Sequence, residues 1–451
     1  MPDRPTVRRV AIVAFAVLLS VAAHSLWDYI EVQRLIREIE RIQEKREPVT
    51  EQDAGHRDVV PEQAGAASYY AAAGILALGT NPQLAIKPVR EWLMGATPTQ
   101  PLPPGLASAV QKVVTESSAA LLLADKAARL PFNGFVAGTD YSYRAASMSA
   151  LSELIAARSL SLSVAGQGDE ALDSLIAGLQ ARRPLEESRG WLAGRTDVAA
   201  VLSFAEPSSE ALQRTQIALE QTDRPDQPLA NFLRERGRYL DMIWRRFYGH
   251  SANAPRQYRL PMRGLTETVL RPWRTHTLVE SLQLWARLIE AARLPWPQRA
   301  DAGARVTEPD QNQHDSSDSR FLFPMMGRDL PLGLFAQAIE PTPLILDRCS
   351  IAALAAERFK LENGKLPAAL SDLVPRYLLS VPLDPLSGLP LLFRSSPDGY
   401  AIYSVGQNGR DDAGDLTPPS AADRRRLGRR ASSADVGIRV ITTPVSRGNQ
   451  R

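Results

Sequence analysis

The chain has 451 residues, of which 44% are hydrophobic and 23% are charged, and these ordinary globular proportions exclude a chain that is disordered throughout. Its 53 basic and 50 acidic side chains give a net charge of only +3, which gives no reason to expect nucleic-acid binding. Aromatic residues are few and helix formers such as Ala, Leu, Arg and Glu are abundant, so a mainly α-helical fold is predicted.

The clearest feature of the sequence is an apolar run at residues 10–27, which follows Arg8 and Arg9. A run of this length is just sufficient to cross the hydrocarbon core of a bilayer as a helix. The alternative is a signal peptide with its cleavage site at residues 20–22. We favour an uncleaved transmembrane anchor, because the helical pattern continues beyond the apolar run.

The orientation of this anchor is not decided by counting charges, since arginines flank the run on both sides. Residues 1–9 form a short tail beside Arg8 and Arg9, and we expect this tail to stay in the cytoplasm. The sequence therefore predicts a single-pass protein of the cell inner membrane, with the bulk of the chain periplasmic or extracytoplasmic. The membrane is then a partner through the N-terminal helix, and protein partners are expected without being identified.

An apolar seam follows the anchor, in which Val32, Leu35, Ile39 and Ile42 recur at steps of three and four residues. This spacing is typical of a dimerising coiled-coil stalk or of a juxtamembrane helix that packs on its own domain. Two heptads are short for a stalk, so we favour the second alternative.

Helical periodicity dominates the middle of the chain. Helices are predicted from Ala66 onwards, at 117–130, across 147–182, and at 209–221, 228–247 and 277–293. Gly166 to Asp169 divides residues 147–182 into a helical hairpin of the kind found in tetratricopeptide-type repeats, although no period of about 34 residues is present. Residues 301–319 are polar and are predicted to form a linker or a loop.

No sequence motif marks the chain as an enzyme. No two of the five histidines lie three or four residues apart, so none forms a helical metal pair, and we interpret them as solvated or incidental. Gly166, Gly168 and Ala171 match a dinucleotide fingerprint, but a helical pattern precedes them where a strand is needed. A site assembled only in the folded chain stays open, because catalytic groups are recognised by geometry and not by sequence order.

Two further features favour structural interpretations. The single cysteine, Cys349, excludes an intrachain disulfide and a cysteine-based zinc site, and its apolar neighbours predict a buried thiol. The arginine-rich residues 424–430 contain no interleaved aromatic residue, so a solvated loop is predicted and no nucleic-acid partner is expected.

The C-terminal part has the most informative order of residues. A helix is predicted at 344–362, ending at Asn363-Gly364. Two short strands are predicted at 389–393 and 399–405, with Asp398-Gly399 as the hairpin turn between them. The segment between the helix and the strands contains Leu366-Pro367, the apolar residues Leu370, Leu373 and Val374, Tyr377-Leu378, and Val381-Pro382-Leu383-Asp384-Pro385.

This order, over residues 345–440, resembles the C-terminal module of the type II secretion major pseudopilin family, and the resemblance implies a small α+β module. The chain departs from that family elsewhere. Its apolar run lacks the Gly-Phe-Thr-type processing site and the following glutamate, and a long helical region separates the anchor from the module. The chain therefore looks like a bacterial membrane-anchored protein that carries this module, and not like a pseudopilin that polymerises.

In the pseudopilin family a loop after the last strand motif holds a calcium ion, and the matching stretch here is 404–415. The resemblance implies Asp411, Asp412, Asp415 and Asp435 as metal ligands, and calcium favours such carboxylate oxygens. Asn408 replaces the usual aspartate of the family, which removes one charge. The alternative is a polar turn without an ion.

The predicted fold is mainly α: a transmembrane helix, a hairpin-like or repeat-like helical domain, and the small α+β module. The expected parts are 1–9 (tail), 10–27 (anchor), 28–62 (juxtamembrane helix and linker), 63–300 (helical domain), 301–320 (linker), 321–440 (module) and 441–451 (tail).

The predicted function is that of a non-enzymatic envelope protein with a helical interaction domain. The alternatives are an accessory component of a type II secretion or pilus-type system, and a hydrolase, which a pocket gathering His250 or His276 with carboxylates would favour.

Overall fold

The computed structural model describes residues 4–49, 58–59, 65–94, 102–130, 135–136, 141–189, 197–221, 229, 233, 236–237, 240, 265–296, 298–307, 341–406, 408–417 and 435–441. The described helices are α1 (Arg4–Glu44), α2 (Ala66–Thr80), α3 (Gln83–Met94), α4 (Pro104–Glu116), α5 (Ser118–Ala128), α6 (Tyr141–Val164), α7 (Gly168–Arg189), α8 (Asp197–Phe204), α9 (Ser209–Glu220), α10 (Leu265–Arg293), α11 (Gln298–Thr307) and α12 (Thr342–Asn363). The described part of the chain is therefore mainly helical, as predicted. It begins with one helix that is long and apolar enough to span a membrane.

The chain divides into two compact units. The anchor unit comprises Met1–His56, Leu229–Arg293 and Gly303–Phe335, and the core unit comprises Arg57–Pro228, Leu294–Ala302 and Ala336–Arg451. This division differs from the expected boundaries, since the expected helical domain at 63–300 is shared between the two units.

Most helices lie where the periodicity places them, with two differences. The helix predicted at 277–293 begins earlier, at Leu265. The prediction of a linker is wrong for residues 301–307, because α11 contains alanine and arginine, which form helices without an apolar stripe. The remainder of that linker and most of 228–247 lie outside the described residues.

The anchor unit is built on α1 and α10, which run parallel with a constant register. His24, Glu31 and Glu38 of α1, and Lys45 just after it, bond to Val269, His276, Gln283 and Glu290 of α10, each pair separated by 245 residues. Both sets recur every seven residues, as in a parallel coiled coil. Leu35, Ile39 and Ile42 are buried, so the apolar seam packs within its own chain, in agreement with the favoured alternative.

The helices of the core unit pack around α6, which contacts α2, α4, α7 and α8. Leu151, Leu154 and Ile155 of α6 are fully buried. The predicted hairpin is present as α6 and α7, joined at residues 165–167. Helix α12 packs against α9 and carries a continuous buried stretch, Ile351 to Ala356.

The three-stranded sheet of the core unit has the order β3 (Leu392–Ser396), β4 (Gly399–Ser404) and β5 (Val436–Ile441), with both pairs antiparallel. A separate parallel pair joins β1 (Asp58–Val59) and β2 (Phe135–Val136). The predicted hairpin is present, but its two-residue turn is Pro397-Asp398, one residue earlier than predicted, because Ser396 pairs with Gly399, and β3 begins three residues later than predicted. Strand β5 has no counterpart among the predicted strands. Tyr400, Ile402, Ile438 and Val440 belong to one buried cluster with residues of α12.

Candidate functional site

The predicted metal ligands lie in the segment that follows β4 and at the residue that precedes β5. We call residues 406–417 the acidic loop, of which residue 407 lies outside the described part. Ala413 and Gly414 adopt left-handed backbone conformations, with φ of 64° and 76°. These conformations turn the loop back towards Asp435, because two successive positive φ values reverse the chain direction.

Asp435 closes the acidic loop. Its side chain is buried, and its two carboxylate oxygens accept hydrogen bonds from the backbone nitrogens of Asp412 (3.2 Å) and Gly414 (2.8 Å). Burial raises the pKa of Asp435 above its ordinary value, the two backbone bonds lower it, and the charges of Asp411 and Asp412 raise it further. The net shift is upwards, so ionised Asp435 is held in an unfavourable field.

Asp411 and Asp412 lie close enough to Asp435 to act on its charge, and each has contacts of its own. Asp411 Oδ1 accepts hydrogen bonds from the Tyr403 hydroxyl (3.1 Å) and from the backbone nitrogen of Ala413 (2.9 Å). Asp412 Oδ2 accepts from the Asn408 side-chain amide at 2.7 Å. Burial, followed by the bond to Asp411, raises the pKa of Tyr403 to about 12, so this hydroxyl stays a proton donor at neutral pH.

Asp415 is engaged differently from the other three aspartates. Its Oδ1 accepts from the backbone nitrogen of Thr417 at 3.0 Å. Hydrogen bonds from Thr417, with a smaller contribution from the charge of Arg439, lower the pKa of Asp415. The structure thus brings Asp411, Asp412 and Asp435 together and directs Asp415 to the chain that follows it.

The chemical types of these oxygens fit calcium, but in the structure they accept hydrogen bonds from other groups of the protein. In the described part of the chain, no three His, Cys, Asp or Glu side chains are grouped to hold a metal ion. Two loop carbonyls, the other class of oxygen that calcium uses, accept hydrogen bonds from arginines. Arg394 bonds to the Ala413 oxygen at 2.9 Å, and Arg439 bonds to the Gly414 oxygen at 3.0 Å.

Asp384, a residue for which no role is predicted from the sequence, is the polar centre beneath this end of the sheet. It is almost fully buried, and its oxygens accept from Ser404 Oγ (2.8 Å), Ser387 Oγ (2.7 Å) and the backbone nitrogen of Leu386 (2.9 Å). The position of Asp384 before Pro385 is the sequence feature that could have indicated this role, because an aspartate at such a turn commonly bonds the backbone two residues on. These bonds attach the Val381–Pro385 segment to β4.

Cys349 is also buried here. Burial, and then the charge of Asp384, raises the pKa of its thiol, which keeps it protonated and unreactive. The predicted buried thiol is confirmed.

His276 lies between α1 and α10 in the anchor unit. Its Nδ1 is 3.1 Å from Glu31 Oε1, and its Nε2 is 3.3 Å from Glu280 Oε1. The interpretation of His276 as incidental is wrong, because its main partner, Glu31, is distant in sequence. His56, His250 and His314 lie outside the described residues.

Comparison with protein-family models, with curated proteins and with solved structures found no match to this chain.

Proposed function

We propose that this chain is a non-enzymatic, single-pass membrane protein of the cell envelope that presents a helical domain for interaction with other proteins. The proposal includes the orientation expected from the sequence, with the tail in the cytoplasm and the bulk beyond the inner membrane.

The distribution of burial along α1 carries this proposal. The apolar side chains of its first part are exposed, including Ile12 (60%), Phe15 (65%) and Leu18 (68%), whereas Asp28 (6%) and Glu31 (4%) are buried. A helix in water shows the reverse pattern, since burying each large apolar side chain gains about 1.5–3 kcal/mol. Only 6% of the most apolar window is buried within the chain. A bilayer around residues 10–27 supplies the missing apolar contact.

Exposed apolar side chains on neighbouring faces of α2 and α5 support the interaction role. Lys126 Nζ lies 4.4 Å from the ring centre of Tyr69, so these faces of the two helices are adjacent. Leu76 lies two helical turns from Tyr69, and Leu122 lies one turn from Lys126. Leu76 is 47% exposed and Leu122 is 71% exposed, which makes this face suited to an apolar partner surface.

The hydrolase alternative has His276 with Glu31 and Glu280 in its favour, because a carboxylate beside an imidazole is an arrangement used for general-base catalysis. The described contacts of His276 are to charged side chains of α1 and α10, including Arg34 at 3.5 Å, and they supply no nucleophile. We therefore interpret His276 as a bridge between the two helices. The accessory role in a type II secretion or pilus-type system stays a prediction that rests on the resemblance.

The anchor is tested by alkaline carbonate extraction of membranes containing the full chain. We expect the chain to stay in the pellet, and a Phe15→Arg/Leu18→Arg variant to be extracted, because each arginine near the centre of the span costs about 2.5–3.5 kcal/mol. Leu122→Arg, outside the apolar run, is the matched control and should stay in the pellet. Release of an intact chain that begins near Ala23 would show a cleaved signal peptide and contradict the proposal.

As a second proposal, the acidic loop takes a calcium ion, and the observation that favours it is the convergence of Asp411 and Asp412 on buried Asp435, whose pKa their charges help to raise. The pKa of Asp435 is higher in the folded state than in the unfolded state, so protonated Asp435 adds to the free energy of unfolding below its ordinary pKa. This contribution is lost as the pH rises through the folded-state pKa. At neutral pH the three carboxylates therefore repel one another, and a divalent cation would remove that repulsion.

The calcium proposal is tested by melting the detergent-solubilised full chain with calcium and with a chelator. At free calcium 100 times its dissociation constant, linkage predicts about 2.7 kcal/mol of stabilisation, roughly 4 °C for a unit of this size. We expect Asp411→Asn/Asp412→Asn to remove the calcium response and, in chelator, to melt above wild type at neutral pH, because it removes the like charges. An unchanged wild-type midpoint on adding calcium would identify the loop as an ordinary polar turn.

A further inference from the structure

The N-terminal end of α10 lies beside the last turns of the apolar run of α1. The Nε2 atom of His24 is 2.9 Å from the backbone oxygen of Val269, and the Arg271 guanidinium forms a two-point ion pair with Asp28, Nε to Oδ1 at 2.7 Å. The constant offset of 245 residues holds from this end to Lys45, so the two helices are aligned level by level. Helix α10 therefore extends as far as a segment that the proposed anchor places within the bilayer.

The side chains at this level are of the kind found at a membrane surface. With the offset of 245 residues, Trp273 lies level with position 28, between Trp27 and Tyr29 of α1. Trp27 is 40% exposed and Tyr29 is 62% exposed. Tryptophan and tyrosine concentrate at the boundary between the headgroups and the acyl chains, because their rings are amphipathic. The two helices thus contribute to one aromatic layer.

Below this layer α10 exposes an apolar side chain. Val269 is 58% exposed and lies level with His24, three residues before Trp27. Three residues of helix correspond to about 4.5 Å along its axis, which is within the depth of about 5–10 Å that interfacial helices reach. On α1 the apolar side chain at this end, Leu26, is 60% exposed.

We propose that the first turns of α10 enter the bilayer interface beside α1, so that the anchor unit contacts lipid through two helices. This inference rests on the proposed membrane anchor. The surface is formed by Val269 and Trp273 of α10 with Leu26, Trp27 and Tyr29 of α1, and its partner is the headgroup and upper acyl region of a phospholipid bilayer. The ion pair of Arg271 with Asp28 lies at the same level and fixes the depth of α10 relative to the span.

The experiment measures lipid contact at single positions of the full chain. Cys349→Ala leaves a cysteine-free background, into which Leu19→Cys, Val269→Cys or Leu122→Cys introduces one site for an environment-sensitive fluorophore. Leu19 lies in the span, and Leu122 is an exposed leucine of the core unit. Each labelled chain is reconstituted into vesicles of phosphatidylethanolamine and phosphatidylglycerol, with or without lipid carrying a nitroxide near the headgroup or deeper in the acyl chain.

We expect about twofold quenching at position 269 by the shallow nitroxide, because an interfacial helix lies within ~10 Å of that depth. Position 19 should be quenched by the deep nitroxide, and position 122 by neither. Quenching at 19 without quenching at 269 would overturn this inference and leave the membrane anchor standing. Absence of quenching at both positions would overturn the anchor itself. Equal quenching at 122 and 269 would also overturn the inference, since it would show adsorption of the whole protein.

Discussion

Gly437→Ala is expected to abolish the pairing of β5 with β4 and to destabilise the core unit by about 3 kcal/mol or more. A Cβ atom at position 437 would lie 2.1 Å from the backbone oxygen of Ile402 and 2.6 Å from the Cα of Tyr403. Both atoms belong to the central strand, so no side-chain rotation relieves the overlap. Because Asp435 lies two residues before Gly437, the same change should release the acidic loop from its closing carboxylate.

The matched control is Gly409→Ala, at which a Cβ atom would meet nothing within 4 Å. Gly409 has φ of 66°, so alanine there should cost only the left-handed backbone strain of about 1–2 kcal/mol. Denaturant unfolding gives the change in free energy, and amide hydrogen exchange at 436–441 reports on β5 itself. Equal effects of the two substitutions, with unchanged exchange at 436–441, would contradict this close approach of β5 to β4.

The C-terminal sheet shows which parts of the fold a sequence can predict. The hairpin of β3 and β4 was predicted because its signals are local: Asp398-Gly399 favours a tight turn, and apolar and aromatic residues flank it. Strand β5 was not predicted, because it pairs with β4 only after a long excursion of the chain. Gly437 gives no local sign that its missing side chain allows two backbones to meet.

The anchor unit shows a second limit of sequence patterns. The apolar seam drew attention to Val32, Leu35, Ile39 and Ile42, yet the face of α1 that binds α10 includes charged residues. Asp28, Glu31 and Glu38 are buried because each has a partner on α10 or on its own helix. The spacing of apolar residues does not reveal buried charged positions. The partners of Asp28 and Glu31 on α10 lie more than 240 residues away in sequence.

The acidic loop was located by resemblance, but the contacts of its residues were not predictable. Four aspartates in a short region suggest a shared ligand when only their types are known. In the structure each is bonded first to the protein itself: Asp435 to two backbone nitrogens, Asp411 to Tyr403, Asp412 to Asn408 and Asp415 to Thr417. Such bonds depend on the path of the backbone, which the positive φ values at Ala413 and Gly414 set.

A buried ion pair joins Arg236 to Glu47, just beyond the end of α1. Arg236 is 1% exposed, and its Nη1 lies 2.7 Å from Glu47 Oε2, while Nη2 donates to the backbone oxygen of Pro48 at 3.2 Å. Glu47 is bonded to Arg293 as well. Burial lowers the pKa of Arg236, and the bond to Glu47 opposes that shift. Glu47 is thus the carboxylate that compensates for a guanidinium removed from water.

Glu47→Met is expected to destabilise the anchor unit by about 3–5 kcal/mol, because it leaves the buried charge of Arg236 without its carboxylate. Glu47→Met/Arg236→Met should cost much less than the sum of the two single changes, since a pair of apolar side chains leaves no uncompensated charge. The control is Lys45→Met, two residues away, which breaks an exposed pair with Glu290 and should cost less than about 1 kcal/mol. Denaturant unfolding of the detergent-solubilised chain measures all four variants. Additive effects of Glu47→Met and Arg236→Met would show that the two charges do not compensate each other in the fold.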